Sequence, residues 1–245
     1  MEFYILASGS KGNCSVIKTK ETLIIIDCGM SWRYLENAFN QYNINYKQAD
    51  ALLITHLHSD HSSSLGKFPK LTKYVTFDLE ESNKIDFYQT FTIKDLTITP
   101  LPLSHDSPNT TGYLFQDKKE KLVYITDTGY LSKNNLSYLK NADYYIMESN
   151  HDPVMLLNTR RPTMLKRRIL TDDGHLSNLA SAIYLKDLIG DKTKEIVLAH
   201  LSLEANRPEL AHRTLCEVLS ENKIDHKKIR ITTAGQDCAC LGGKI

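Results

Sequence analysis

His56-Leu57-His58-Ser59-Asp60-His61 places three imidazoles and one carboxylate within six residues. The stretch follows directly on the apolar run Ala51-Leu52-Leu53-Ile54-Thr55. A buried strand ending in a tight turn at that point aims several lone pairs at one small volume. Imidazole nitrogen suits zinc, iron and manganese, and the carboxylate adds a hard oxygen ligand. The competing reading is a polar loop that is rich in histidine by accident. The rest of the chain argues against it.

Other apolar runs end in the same way. Residues 96–103 run into Ser104-His105, residues 121–126 into Asp127, residues 195–199 into His200 and residues 23–26 into Asp27. Apolar runs of this length, bounded by turn residues, read as buried strands. If those strands share sheets with their ends at one edge, the potential ligands converge there, as ligand sites do at strand ends in layered α/β proteins.

The remaining elements follow from periodicity and turn signals. Residues 3–27 read as two strands around a Gly9-Ser10-Lys11-Gly12-Asn13 turn. Residues 31–42 read as a helix capped by Ser31, with Trp32, Leu35, Ala38 and Phe39 at helical spacing. A short helix is expected to begin at Ser62-Ser63-Ser64, and strands dominate residues 73–127. Further helices are expected over residues 131–141, 164–170, 178–189 and 209–221, with strands at 144–147 and 229–233. No low-complexity tract or long linker interrupts the chain.

At 245 residues the chain suits one α/β domain spanning 1–245. Its 41% hydrophobic and 24% charged residues are ordinary for a globular protein. No apolar stretch approaches the ~20 residues that cross a bilayer, so no membrane partner is expected. The strand-like start Phe3-Tyr4-Ile5-Leu6 lacks the marks of an export signal, and a cytoplasmic location is expected. Five cysteines in such a chain are expected to be reduced thiols. Cys238-Ala239-Cys240 has no second cysteine pair to complete a metal site and reads as ordinary small residues. The net charge of +1 predicts no polyanion partner, but Arg160, Arg161, Lys166, Arg167 and Arg168 fall within ten residues. Such a run can track a phosphate backbone or form a solvated helix face. Its position tilts the reading to the former, because it leads into Asp172-Asp173-Gly174-His175.

On His56, His58, Asp60, His61, His105, Asp127 and His200 the sequence resembles the metallo-β-lactamase superfamily. Asp27 matches a carboxylate that backs the ligands in that family. The resemblance implies a four-layer αββα sandwich with two divalent metal ions, zinc or manganese, at one edge. It implies that His56, His58 and His105 hold the first ion, that Asp60, His61 and His200 hold the second, and that Asp127 bridges them. Members that reduce oxygen at two irons usually carry glutamate where His58 stands, so redox chemistry is disfavoured. Only 22 positions separate His105 from Asp127, too few for the arm with which ribonuclease Z grips transfer RNA. Only 73 separate Asp127 from His200, too few for a β-CASP domain. The expected cytoplasmic location argues against an antibiotic-destroying lactamase.

Longer stretches narrow the resemblance. They are Ala7-Ser8-Gly9-Ser10-Lys11-Gly12-Asn13-Cys14-Ser15, Asp27-Cys28-Gly29-Met30-Ser31, Thr126-Asp127-Thr128-Gly129-Tyr130, Glu148-Ser149-Asn150-His151-Asp152, residues 167–178 and Ala199-His200-Leu201-Ser202. Together they resemble the YycJ/WalJ branch, which is bacterial and associated with 5′-to-3′ exonuclease activity on double-stranded DNA and with cell-wall regulation. Ser62-Ser63-Ser64 departs from the bulkier residue and glycine that relatives more often carry there.

The resemblance thus implies a dinuclear phosphodiesterase, a 5′-to-3′ exonuclease on duplex DNA, in which a hydroxide held between the ions attacks phosphorus. Asp60 and Asp127 would orient that hydroxide. The loop Gly174-His175-Leu176-Ser177-Asn178 resembles the catalytic histidine loop of ribonuclease Z. His175 is therefore the candidate general acid, against a competing role in capping the helix that follows. Glu148 or His151 would orient it. His151 and the five cations Arg160, Arg161, Lys166, Arg167 and Arg168 are the candidate substrate-binding residues. A small-molecule hydrolase acting on a thioester, lactone or cyclic phosphodiester is the alternative enzyme. A non-catalytic module in cell-wall regulation is the alternative outside enzymology.

Overall fold

Short continuous apolar runs make the central strands of this chain, described over residues 1–243 in a computed structural model. In chain order they are β1 (Glu2–Ala7), β2 (Cys14–Lys18), β3 (Leu23–Ile26), β4 (Ala51–Leu53), β5 (Lys73–Val75), β6 (Ser82–Lys84), β7 (Phe91–Ile93), β8 (Leu96–Pro102), β9 (Thr111–Gln116), β10 (Lys121–Ile125), β11 (Tyr144–Glu148), β12 (Glu195–Ala199), β13 (Arg230–Thr233) and β14 (Cys240–Gly243). The helices are α1 (Trp32–Gln41), α2 (Ser59–Ser62), α3 (Lys133–Leu139), α4 (Pro153–Asn158), α5 (Thr163–Ile169), α6 (Asn178–Leu188) and α7 (Pro208–Glu221). One sheet has the order β14-β1-β2-β3-β4-β5-β6 and the other β13-β12-β11-β10-β9-β8-β7.

Each central strand buries both faces, and the two faces meet different layers. Ile24 and Ile26 of β3 point into the space between the sheets, where they join Phe3, Leu53, Tyr113, Phe115, Ile146 and Val197. Ile25 points the other way and packs with Leu35 and Phe39 of α1. In the second sheet Leu122 and Tyr124 face inward, whereas Val123 and Ile125 face α3, α6 and α7 through Leu139, Leu185, Leu215 and Leu219. The expected four-layer αββα sandwich is the result. Fully burying one such side chain contributes about 1.5–3 kcal/mol, so Phe39→Ala, which opens a cavity under α1, is expected to cost about 3–5 kcal/mol.

Parallel pairing brings the strand ends to one edge. Ile26 of β3 pairs with Leu53 of β4, and Ile125 of β10 pairs with Met147 of β11. Glu148 in turn pairs with Ala199 of β12. At three of these ends the chain leaves the sheet through a left-handed residue: Asp27 (φ 59°), Asp127 (φ 59°) and His200 (φ 56°). That region is uncommon for residues other than glycine, and aspartate tolerates it better than most.

Four details differ from the sequence expectation. Residues 3–27 form three strands, because the chain reverses at 19–22, where Thr19 N donates to Thr22 O (2.9 Å). This turn contains neither glycine nor proline to announce it. The helix after β4 is built on the motif itself, Ser59–Ser62, rather than beginning at Ser62. Helix α4 is an addition, although Asp152 accepts from Met155 N (2.8 Å) and Pro153 occupies the first turn, both ordinary start signals. Strand β14 is also an addition. It contains Gly242, where a Cβ would lie 2.1 Å from the Phe3 ring, and a glycine-bearing strand carries a weak signal. No helix among the described residues is long and apolar enough to cross a membrane.

Candidate metal centre

The strand-end geometry assembles seven donors. The loop after β4 supplies His56, His58, Asp60 and His61, and Gly29 lets that loop close, since a Cβ there would meet Asp60 O at 1.7 Å. His105 follows β8, Asp127 follows β10 and His200 follows β12. Donor atoms of His56, His58 and His105 lie within 4.8 Å of one another, as do those of Asp60, His61 and His200. Asp127 stands between the groups. Its Oδ2 is 3.2 Å from His61 Nε2, and its Oδ1 is 3.4 Å from His200 Nε2 and 3.9 Å from His105 Nε2.

These residues fit divalent ions. His56 Nε2 and His200 Nε2 are buried without a hydrogen-bond partner. A buried polar atom left so costs about 1–3 kcal/mol, and an ion at that point would remove the cost. The ring orientations are set from behind. His105 Nδ1 lies 3.1 Å from Gly174 O and donates to it, which leaves Nε2 as the lone pair facing the site. Burial, with His61 beside it, holds His56 down to about 2, and burial holds His105 to about 4 against the pull of Asp127. Both imidazoles are therefore neutral, the form that ligates metal.

Two carboxylates, both fully buried, back the cluster. Asp27 Oδ2 lies 2.7 Å from His61 Nδ1, and Asp27 also accepts from Thr55 N (2.8 Å) and Thr55 Oγ1 (2.9 Å). Glu148 Oε1 lies 2.8 Å from His175 Nδ1 and 2.9 Å from His200 Nδ1. Its Oε2 accepts from Thr128 N (2.9 Å) and Leu176 N (3.2 Å). Burial would raise Glu148, but His175 and His200 pull it down to about 2. Asp27 has one imidazole to offset burial, and its carboxyl stays above the usual range. Burial would lower His200 too, yet Asp127 and Glu148 raise it to about 9.

Over these donors opens a pocket of about 310 Å³, lined by His58, Asp60, His105, Asp127, His175 and His200 together with Ser10, Asn150, Arg161, Leu165, Arg168, Ile169 and Ser202. Of the five sequence-predicted cations, Arg161 and Arg168 reach it. Arg161 donates to Glu204 (2.9 Å) and Ser202 Oγ (3.4 Å), and Arg168 pairs with Asp106. Lys166 does not reach the pocket, because its Nζ donates to Leu157 O and Thr159 O (both 2.6 Å) and so ties α5 to the end of α4. Arg160 and Arg167 are exposed outside the pocket. His151 is 1% exposed and lies outside the lining, which removes it from the substrate-binding set. Nor does it orient His175, since neither of its ring nitrogens has a hydrogen-bond partner.

One residue at the site, Asn13, escaped the sequence reading. Asn13 Nδ2 lies 2.9 Å from His61 Nε2, with Gly9 O (3.1 Å) and Asp60 O (3.2 Å) as further acceptors that remain when His61 takes an ion. Asp106 Oδ1 lies 3.2 Å from His105 Nε2 and 3.7 Å from His58 Nε2. The glycine turn before Asn13 was the available signal. Adjacency to His105 marks Asp106 in the sequence as a residue backing the ligands, and the structure places it beside them.

Sheets stacked in αββα layers, with histidine and aspartate donors gathered at the strand ends, define a metal-dependent hydrolase of the metallo-β-lactamase type. The chain belongs to the Beta-lactamase superfamily domain family, whose profile matches residues 22–201. It is 37% identical over 237 residues to exodeoxyribonuclease YycJ of Bacillus anthracis, a match covering 90% of each chain. It is 34% identical over 238 residues to exodeoxyribonuclease WalJ of Streptococcus pneumoniae, covering 90% of this chain and 88% of that one. Among solved structures, the metallo-β-lactamase fold protein YhfI from Bacillus subtilis superposes with a TM-score of 0.70 at 18% identity, covering 98% of both chains.

Proposed function

We propose that this protein is a 5′-to-3′ exonuclease acting on double-stranded DNA in the cytoplasm, within a single domain. The observation that carries the reading is the pair of arginines, Arg161 and Arg168, that line the same pocket as the histidine and aspartate donors. Guanidinium groups in one pocket with a metal centre suit a phosphodiester, which brings negative charge to both. The names of the two curated relatives support DNA as the polymer.

The residue roles follow from the contacts. His56, His58 and His105 would hold one ion, Asp60, His61 and His200 the other, and Asp127 would face both. When bound, two divalent cations supply positive charge for the phosphoryl oxygens and acidify an attacking water. The chain's own contribution is orientation and proton delivery. Arg168 and Arg161 hold the phosphate against the donors. His175, with its Nδ1 fixed by Glu148 at 2.8 Å, presents the other ring nitrogen to the leaving oxygen and protonates it. Glu148 also fixes His200, so one carboxylate aligns the proton donor with the ligand set.

The test is digestion of 5′-labelled duplex DNA, single-stranded DNA and RNA by purified protein with zinc, manganese or no added metal, with Asp60→Ala as control. Duplex shortening from the 5′ end that vanishes in the control is the expected result. A second reading, hydrolysis of a small phosphodiester or ester, is favoured by one observation, the modest pocket volume of about 310 Å³. Inert polymers with rapid turnover of a small cyclic phosphodiester would establish it.

A further inference from the structure

Helix α5 contributes both aliphatic and cationic side chains to the pocket lining. Leu165, Arg168 and Ile169 line the wall. Met164 lies four residues before Arg168 and so shares its stripe of the helix. Met164 is 73% exposed and Leu165 36% exposed. Leu57, inside the histidine motif, and Leu203, just past His200, are also exposed. An apolar face alone would suit a second copy of the chain, but here arginine pairs at 160–161 and 167–168 flank Met164 and Leu165 in sequence. Nucleic acid matches both features, with phosphates for the guanidinium groups and base faces for the aliphatics.

The pocket decides which part of the nucleic acid enters. At about 310 Å³ it stands at the lower end of the range for small-molecule sites, which spans roughly 300–1,000 Å³. A volume of that size encloses one nucleotide unit and is smaller than a base pair with both strands attached. Seating a terminal nucleotide inside it would therefore require the duplex end to open. Proteins that open stacked bases do so with leucine, isoleucine or methionine wedged at a base step.

We propose that Met164 and Leu165 form a strand-separating wedge, which parts the terminal pairs of a duplex so that one strand enters between Arg161 and Arg168. This rests on the exonuclease reading above. The strand that enters loses its partner at the wedge, and the terminal base leans on the aliphatics while its phosphates meet the arginines. Apolar contact replaces the stacking that is lost.

The experiment compares full-length, metal-loaded wild type, Met164→Ser and Met164→Leu on 5′-labelled duplexes that differ only in their terminal pairs: matched, mismatched or covalently cross-linked. Met164 is exposed, and unchanged melting temperatures would verify that the variants fold. Wild type should digest matched and mismatched ends at similar rates and stall on the cross-link. In Met164→Ser the ratio of mismatched to matched rates should rise about tenfold, as expected when opening a step loses its apolar wedge, while Met164→Leu keeps the wild-type ratio. An unchanged ratio in Met164→Ser, or cross-linked ends cut as fast as matched ones, would overturn the wedge. So would a dimer by sedimentation that Met164→Ser dissociates with equal rate loss on both ends, which assigns the patch to a second copy. If wild type cleaves neither matched nor mismatched DNA, the exonuclease reading fails first and the wedge with it.

Discussion

Asp27 and Glu148 are both wholly buried carboxylates behind the metal centre, and they are used differently. Asp27, at the end of a strand in the first sheet, serves one imidazole, His61, and is otherwise bonded to Thr55. Glu148, at the end of a strand in the second, serves two imidazoles that face different parts of the site, His200 among the donors and His175 in the pocket. Burial prevails over the neighbours at Asp27, and the neighbours prevail over burial at Glu148. On the proposed reading, one sheet would fix metal alone, whereas the other would tie metal to proton transfer through a shared oxygen, Glu148 Oε1.

The comparison can be broken most severely at the residue common to both sides. Asp127→Asn removes charge from the point that faces His61, His105 and His200, and it should reduce metal content, read by elemental analysis of dialysed protein, together with activity down to background. Next comes His175→Ala, expected to lower turnover ~10²–10⁴-fold with metal content intact, the range for losing a positioned general acid. Metal loss in that variant would make His175 a ligand and remove the distinction between the two carboxylates. Glu148→Gln should reproduce most of the His175→Ala defect and weaken metal binding as well, and the double variant should be non-additive in kcat because the two residues act through one hydrogen bond. Asp27→Asn should instead weaken metal affinity ~10–100-fold, the range for residues that back a ligand, and excess ion should restore its kcat. Equal rescue of Glu148→Gln by excess ion would erase the contrast. The smallest effect belongs to the pocket wall: Arg168→Ala should lower the salt dependence of DNA binding by ~1 in slope, the signature of one phosphate contact.

The same contrast explains what could be read from the sequence. The first sheet's share of the site is compressed into residues 56–61, so local spacing alone proclaims it. The second sheet's share is spread over His105, Asp127, Glu148, His175 and His200, each known from a strand ending or a loop resemblance, and only the fold closes the distances between them. Asp127 and His200 were legible because buried apolar runs stop at them. The Glu148–His175 contact was legible only as an alternative to His151, since both residues follow the same strand and orientation is a property of the folded turn. The basic run was legible as charge but not as direction: five cations share the segment, two enter the pocket, and Lys166 satisfies carbonyls that the sequence does not mark. Strand β14 stayed hidden because its role is pairing with β1, a partner far away in sequence.

Three functional residues, Asp27, Asp127 and His200, hold left-handed backbone conformations. Glycine and asparagine occupy that conformation readily, whereas β-branched residues do so with strain. Changes such as Asp127→Asn or His200→Gly therefore delete chemistry at a position whose backbone welcomes the newcomer. A lineage released from selection for hydrolysis would lose its donors early and keep its architecture, leaving inert descendants that still fold. Valine or isoleucine at the same positions would tax both at once and be purged sooner.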